Sequence, residues 1–410
     1  MRHSSTRLGS TSSTSILAAS VALLAACTGA SPEPAPGGVD GSAPPSAAAP
    51  ATLNGPPAGV ERVGTGSGRA VLTDDLLFAL SWTGAKCILV AKSLTALDAE
   101  RWRVSEVDGK QLGCTDGAPA VAGTSLILPY GSATPGTGIE AGSSEEGIIA
   151  LGPDGTRRWH TAIKGVNTVI GANDRFALVA DGRKSLPGSD EQHVTAVLDI
   201  ESGKVLWQRA GLNARGIDGD TVIVTDEQVT NVTALDAATG NQRWTTPMYA
   251  LGRLGLTGTG VVAVPLKENP DDLVGFGAKT VLRDAATGKV LHTEPGTAAS
   301  VDCVSDGKTA VVCQTFGAPV ENRLVFAFDM AARKRSWTIP AKQVADAKIE
   351  VRSMIDGRVF FSTASGAALV DALTGKQLAV GLTEAPETIR GAYGVANEAA
   401  KSYTVVRLTS

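Results

Sequence analysis

The sequence predicts an all-β fold, a propeller of four-stranded antiparallel blades. Three observations predict it: a turn motif that recurs at near-regular spacing, β-rich runs on either side of each copy, and no long helical period. The motif is clearest in Leu235–Trp244, LDAATGNQRW, with Asp236 and Gly240, and in Leu282–His292, LRDAATGKVLH, with Asp284 and Gly288. Asp199, Gly203 and Trp207 stand in the same frame, as do Asp371 and Gly375. Weaker copies run from Phe328-Asp329 to Trp337 with the glycine lost, from Leu151 through Pro153-Asp154-Gly155 to Trp159, and from Leu97-Asp98 to Trp102 with a shortened turn. The tryptophan or its substitute falls at 102, 159, 207, 244, 292, 337 and 379, roughly 37 to 57 residues apart.

Each part of the motif has a physical task. The aspartate accepts hydrogen bonds from N–H groups of the turn, and the glycine takes the positive φ that reverses the chain. The motif is therefore a hairpin turn, placed between the third and fourth strands, C and D, of each unit. The tryptophan on strand D fills the gap between neighbouring sheets and needs one carbonyl partner for its N–H.

Eight B strands precede the eight C strands: Leu77–Trp82, Ser125–Tyr130, Phe176–Ala180, Thr221–Thr225, Gly260–Pro265, Thr309–Cys313, Arg358–Thr363 and Gly391–Ala396. The eighth unit has a C strand, Ser402–Leu408, and then the chain stops, so its D strand must come from elsewhere. Val60–Val63 is the natural donor, which joins the two termini and removes an open edge. Eight blades over residues 59–410 give about 44 residues each. Seven blades are the alternative, with the ends forming one ordinary strand exchange.

The recurring Asp-x-x-Thr-Gly-x-x-x-Trp resembles the repeat of the pyrroloquinoline-quinone-like (PQQ-like) β-propellers, over almost all of the chain after residue 59. That resemblance implies one of two branches. One holds a quinone and Ca²⁺ in a central funnel and is a dehydrogenase; the other is non-enzymatic and includes a lipid-anchored scaffold of outer-membrane protein assembly. The dehydrogenase branch implies adjacent cysteines under the quinone and, in some members, a haem CxxCH; the sequence has neither. No cofactor is therefore expected, with PQQ and Ca²⁺ as the alternative, and no enzyme activity. A sensor propeller for a small ligand is a third reading.

Residues 1–26 resemble a bacterial lipoprotein signal: Arg2 and Arg7, an apolar run from Ile16 to Ala26, then Cys27 after Leu24-Ala25-Ala26. Lipidation is expected on Cys27, which anchors the protein to the bilayer outside the cytoplasm. Residues 27–58 are rich in Pro, Ala, Gly and Ser and read as a flexible stalk. Losing residues 1–26 shifts the formal charge from −4 to −6, which argues against nucleic-acid binding.

The remaining cysteines, Cys87, Cys114, Cys303 and Cys313, suit disulfides in an exported domain. Short separation favours Cys87 with Cys114 and Cys303 with Cys313, out of three connectivities, with free thiols as the other reading. No CxxC suggests zinc. His3, His160, His193 and His292 are scattered, and no phosphate loop, HExxH or GxSxG is present. Asp218-Gly219-Asp220 and Asp271-Asp272 lack the ligand ladder of a Ca²⁺ loop.

The B–C connections vary most, at Gly131–Gly147, Asp181–His193, Leu266–Ala278 and Phe316–Asn322, and variable connections in repeat proteins tend to form the binding face. They carry Glu140, Glu145, Glu146, Asp190, Glu191, Glu268, Asp271, Asp272 and Glu321. Arg157, Arg158, Lys204, Arg243, Lys289, Arg333, Lys334, Arg335 and Lys376 follow the C–D turns on the opposite side. The expected function is a non-catalytic, monomeric binding or scaffolding module that meets an extracytoplasmic or membrane protein partner through the acidic B–C loops.

Overall fold

The computed structural model describes residues 53, 55–83, 86–113, 119–134, 143–182, 193–249, 252–267, 278–317, 320–398 and 402–410. Eight antiparallel sheets make eight blades. From the inner strand A to the outer strand D, blade 1 is Arg69–Leu72, Leu76–Thr83, Lys86–Ser93 and Ala96–Val104. Blade 3 is Thr168–Ala172, Phe176–Ala180, Val194–Asp199 and Val205–Ala210; blade 4 is Leu212–Asp218, Thr221–Asp226, Asn231–Asp236 and Gln242–Pro247. Blade 5 is Gly255–Leu256, Val261–Lys267, Ala278–Asp284 and Val290–Thr297; blade 6 is Ser300–Ser305, Ala310–Phe316, Val325–Asp329 and Lys334–Ile339. Blade 7 is Glu350–Ile355, Arg358–Thr363, Gly366–Asp371 and Gln377–Leu382.

Blade 2 departs from the plan. Its strands B to D are Ser125–Thr134, Ser143–Leu151 and Arg157–Ala162, but the place of strand A is shared. Ala120–Ala122 pairs with one end of strand B, and Lys110–Leu112, part of an added hairpin with Glu106–Val107, pairs with the other.

Blade 8 decides between eight blades and seven. Thr388–Arg390, Tyr393–Glu398 and Ser402–Thr409 supply strands A to C, and Gly59–Ser67 from the other end of the chain pairs along the whole of Ser402–Thr409. A side chain at Gly66 would collide with Tyr403, its Cβ coming within 2.3 Å of the hydroxyl. The closing strand thus needs a glycine where Tyr403 crosses it.

Strands B and C are buried on both faces because each blade is sandwiched between two others. In blade 3, Ala177 and Val179 pack towards blade 2 while Phe176 and Leu178 pack towards blade 4. The apolar core accordingly falls into eight clusters, one at each interface, and the cluster of Leu72, Tyr393 and Val405 joins blade 8 to blade 1. Neighbouring A strands lie against one another around the axis.

The motif works between blades as well as within them. The indole N–H groups of Trp102, Trp159, Trp207, Trp244 and Trp337 donate to Pro153, Ile200, Ala237, Ala285 and Ala372 carbonyls, each in the turn of the next blade, at 2.7–2.9 Å. Each ring also covers that turn's glycine. Gly203 has φ +70°, and a Cβ there would lie 2.5 Å from the Trp159 ring. Positive φ and close approach demand glycine together. Where blade 5 has His292 instead, the next turn has lost its glycine to Arg333, at φ +52°. His292 stacks on Phe328 at 5.2 Å, and its Nε2 lies 3.0 Å from buried Glu294, which also accepts from Arg335 at 2.5 Å.

One sequence expectation about the turns needs correction. Leu97-Asp98 lies inside strand D of blade 1, because the C–D turn there is Leu94-Thr95. A seven-residue helix, Ala341–Ala347, occupies the connection between blades 6 and 7. Of the bases after the C–D turns, Arg157 pairs with Asp108 at 2.9 Å, Arg243 with Asp236 at 2.7 Å and Arg335 with Glu294 at 2.5 Å, and Arg158 bonds the Ser125 and Thr124 hydroxyls in the A–B turn of its own blade.

Two outcomes follow from the turns. Gly203→Ala is expected to cost about 2–4 kcal/mol in chemical denaturation, from strain and collision with the indole. Adding Trp159→Leu to it should cost less than the two single changes together. The Ser202 hydroxyl and N–H hold the Asp199 carboxyl below the usual carboxylate range; Arg243 and Thr239 do so for Asp236. At Asp371 burial opposes the shift, but Thr374 and Arg358 outweigh it. Folded values below the unfolded ones mean that this stabilisation is complete above about pH 4 and is lost as pH falls through the depressed values. Asp236→Asn should therefore show a smaller drop in stability between about pH 6 and pH 2.5 than the parent chain.

Candidate binding face

The side of the ring formed by the B–C and D–A connections is the one on which the blades differ. The other side repeats the same aspartate turn in blades 2 to 7. On the variable side the bulk of the departures collect: the helix, the added hairpin, an exposed Trp82 at the end of strand B of blade 1, and a set of charged residues where the A strands begin.

Arg215 is the extra residue of a β-bulge in strand A of blade 4, between Ala214 and Gly216. Its Nε donates to Thr225 Oγ1 at 3.1 Å. Burial lowers the Arg215 pKa, and the positive charge of Arg253, at the entry to blade 5, lowers it further. Arg215 as a residue is exposed, on the inner strand of blade 4. Asp302, on strand A of blade 6, is raised by burial against the pull of the same Arg253. Beside Arg215 a cleft of about 460 Å³ opens between blades 3 and 4. Ile170, Leu212 and Val229 form apolar walls, and Asp181, His193 and Glu227 bring charge. A larger opening of about 610 Å³, between blades 6 and 7, includes Trp337, Ile339 and Val380 and has Asp346 as its one charged lining residue.

Of the acids expected in the B–C loops, Glu145, Glu146 and Glu321 are described. Glu145 and Glu146 lie on strand C, not in a loop, because strand B of blade 2 runs on to Thr134 and strand C begins at Ser143. Glu145 accepts from Lys110 at 2.6 Å and from the Tyr130 hydroxyl at 2.5 Å, which pins the added hairpin to the blade. Glu146 accepts from the Gly165 N–H at 2.8 Å. These two acids hold the blade together. Glu321 sits in the short 3-10 turn Val320–Asn322. Glu140, Asp190, Glu191, Glu268, Asp271, Asp272, Cys27 and Cys114 lie outside the described residues.

Cys303 and Cys313 are directly opposed on strands A and B of blade 6 and form a disulfide. Cys87 is also disulfide-bonded. Among the described residues no three His, Cys, Asp or Glu side chains stand together as metal ligands, and no helix is long and apolar enough to cross a membrane.

Arg215 and Arg253 were not singled out by the sequence, although a signal was present. Arg215 precedes Thr225 by the same ten residues that separate Arg352 from Ser362, and both pairs share one hydrogen bond. Aligning the units on strand A as well as on the C–D turn exposes it.

The family profile described as "Outer membrane protein assembly factor BamB" matches residues 67–246 and 190–399. The chain belongs to this family of PQQ-like propellers. BamB from Moraxella catarrhalis superposes with a TM-score of 0.53 at 14% identity, covering 85% of this chain and 100% of that one. The Dos1 propeller gives 0.52 at 10%, covering 85% and 95%. A europium-containing methanol dehydrogenase gives 0.43 at 13%, covering 85% and 84%. A search of curated proteins found no match.

Burial, together with the Glu145 hydrogen bond, raises the Tyr130 pKa far above its ordinary value. In Glu145→Gln, ultraviolet titration should show this tyrosine, assigned by its loss in Tyr130→Phe, ionising at lower pH than in the parent.

Proposed function

We propose that the chain is a lipid-anchored, extracytoplasmic, non-catalytic and monomeric propeller that holds a protein partner on its B–C and D–A face, in the manner of an assembly factor. The observation that carries this reading is the concentration of non-repeating features on that face. A partner can distinguish one direction of a near-symmetric ring only by what is not repeated. Exposed Trp82 on blade 1, the positive charge of Arg215 and Arg253, and the cleft beside Arg215 supply an apolar anchor, fixed charge and a recess, the usual parts of a protein-recognition surface.

The family supports the same reading, since its profile carries the description of an outer-membrane protein assembly factor. The anchor rests on Arg2, Arg7, the apolar run and Cys27; a flexible stalk before Leu53, which itself packs against the ring, would let the ring turn its face to a partner. A quinone fits the described residues poorly. Five of the six tryptophans are spent between blades, and the Cys303–Cys313 disulfide is buried within blade 6, so neither offers a flat surface on the axis.

A photo-crosslinking amino acid placed at Trp82 or Glu227 on intact cells should give discrete protein adducts, while the same probe at Lys204 or Lys376, on the C–D side, should give none. Equal adducts from both sides, or adducts from the C–D side alone, would overturn the assignment of the face.

A further inference from the structure

Blades 4 and 7 carry one device in opposite surroundings. In each, a β-bulge in strand A sets out an arginine, Arg215 or Arg352. In each, Nε donates at 3.1 Å to a hydroxyl on strand B, Thr225 Oγ1 or Ser362 Oγ. Bulge and hydroxyl orient the guanidinium and leave its terminal N–H groups for another acceptor.

At Arg352 the acceptors are built in. Glu350, two residues back on the same strand, bonds one terminal nitrogen, and Glu387, in the connection into blade 8, bonds the other at 3.2 Å. At Arg215 both are missing. The residue two back is Asn213, whose amide donates to the Asp226 carbonyl at 3.2 Å, and the connection into blade 5 brings Arg253 instead. Asp302 on strand A of blade 6 feels the charge of Arg253, but neither Arg215 nor Arg253 has a carboxylate within ion-pair distance among the described residues. Two neighbouring guanidinium groups repel unless an anion lies between them. Blade 7 shows which anion fits a bulge arginine, because there the protein supplies it.

Resting on the protein-binding role proposed above, we infer that Arg215 and Arg253 receive a carboxylate of the partner, in the place that Glu350 and Glu387 hold in blade 7. The cleft beside Arg215 receives an apolar residue next to that acid, against Ile170, Leu212 and Val229, while Asp181 and Glu227 on its walls keep the acid itself at Arg215. The ligand is therefore an extended polypeptide segment that joins acidic to apolar side chains, held by charge-assisted bonds to the fork that Thr225 orients on Arg215, with Arg253 adding positive charge.

The test uses the full chain in detergent and fluorescent six-residue peptides with blocked ends, one of alternating leucine and glutamate and one of alternating leucine and glutamine. A third, of leucine and glutamine, ends in a free carboxylate. The glutamate peptide should bind with an affinity that falls as salt rises, and the blocked glutamine peptide should bind at least tenfold more weakly. Arg215→Gln and Arg253→Gln should each weaken glutamate-peptide binding at least tenfold. Asn213→Glu, which places a carboxylate where Glu350 stands in blade 7, should weaken it as much without lowering the thermal midpoint. Arg352→Gln should leave the affinity unchanged. Binding of the glutamate peptide alone assigns the clamp to side-chain acids, and binding of the third peptide alone assigns it to a chain terminus; either supports the inference. Full binding by both Arg215→Gln and Asn213→Glu, or no binding by any carboxylate peptide, overturns it. Crosslinking separates the two levels. Adducts at Trp82 and Glu227 that persist in the Arg215→Gln, Arg253→Gln double variant remove the clamp and keep the binding role, whereas their absence from the parent chain removes the role itself.

Discussion

The bond from an indole N–H to the next blade's turn is the interaction that sets five of the eight blade interfaces. A sheet of four strands cannot bury its own two faces, and each blade here gains its core only from its neighbours. The apolar clusters do not specify angle or register between sheets. The tryptophan does: it must meet a carbonyl at hydrogen-bond distance and a glycine at contact distance, and both belong to one turn. The turn in turn is held by its aspartate, so a single motif links hairpin geometry, blade spacing and ring curvature.

One of the three interfaces without an indole bond supports this account. At the interface of blades 5 and 6 both halves of the pair change together, tryptophan to His292 and glycine to Arg333. Without the indole, the turn can carry a side chain, and the space is taken by a histidine stacked on Phe328 and tied through Glu294 to Arg335. Where one partner is released from its constraint, so is the other.

Much of the fold was legible because the motif is local. Asp, Thr or Ser, Gly and Trp sit within a few residues, and their spacing located every C–D turn except that of blade 1, where Leu94-Thr95 makes the turn without them. Termini that pair through Gly59–Ser67 and Ser402–Thr409 were legible by counting strands. The candidate site was much less so. Glu145 and Glu146 looked like loop acids because nothing local to them reveals that strand B of blade 2 continues to Thr134, or that Lys110 from an inserted hairpin is waiting for Glu145. Arg215 and Arg253 are nearly forty residues apart in sequence and become a pair only when adjoining blades meet on the axis. Long-range juxtaposition of single side chains leaves no period for a sequence to show.

The strand borrowed from the N-terminus also sets an order of events. Gly59–Ser67 is among the first parts of the ring to be synthesised, and its partner Ser402–Thr409 is the last. Blades 1 to 7 can each complete a sheet from contiguous chain, but the eighth waits for the whole polypeptide. Until then the growing molecule is an open arc with an unsatisfied edge at either end, vulnerable to proteases and to pairing with another arc. Closure joins the two ends of the chain in one sheet, so a cut in a surface loop afterwards leaves both fragments fastened to each other by backbone hydrogen bonds. The same arrangement makes the molecule slow to finish and hard to take apart.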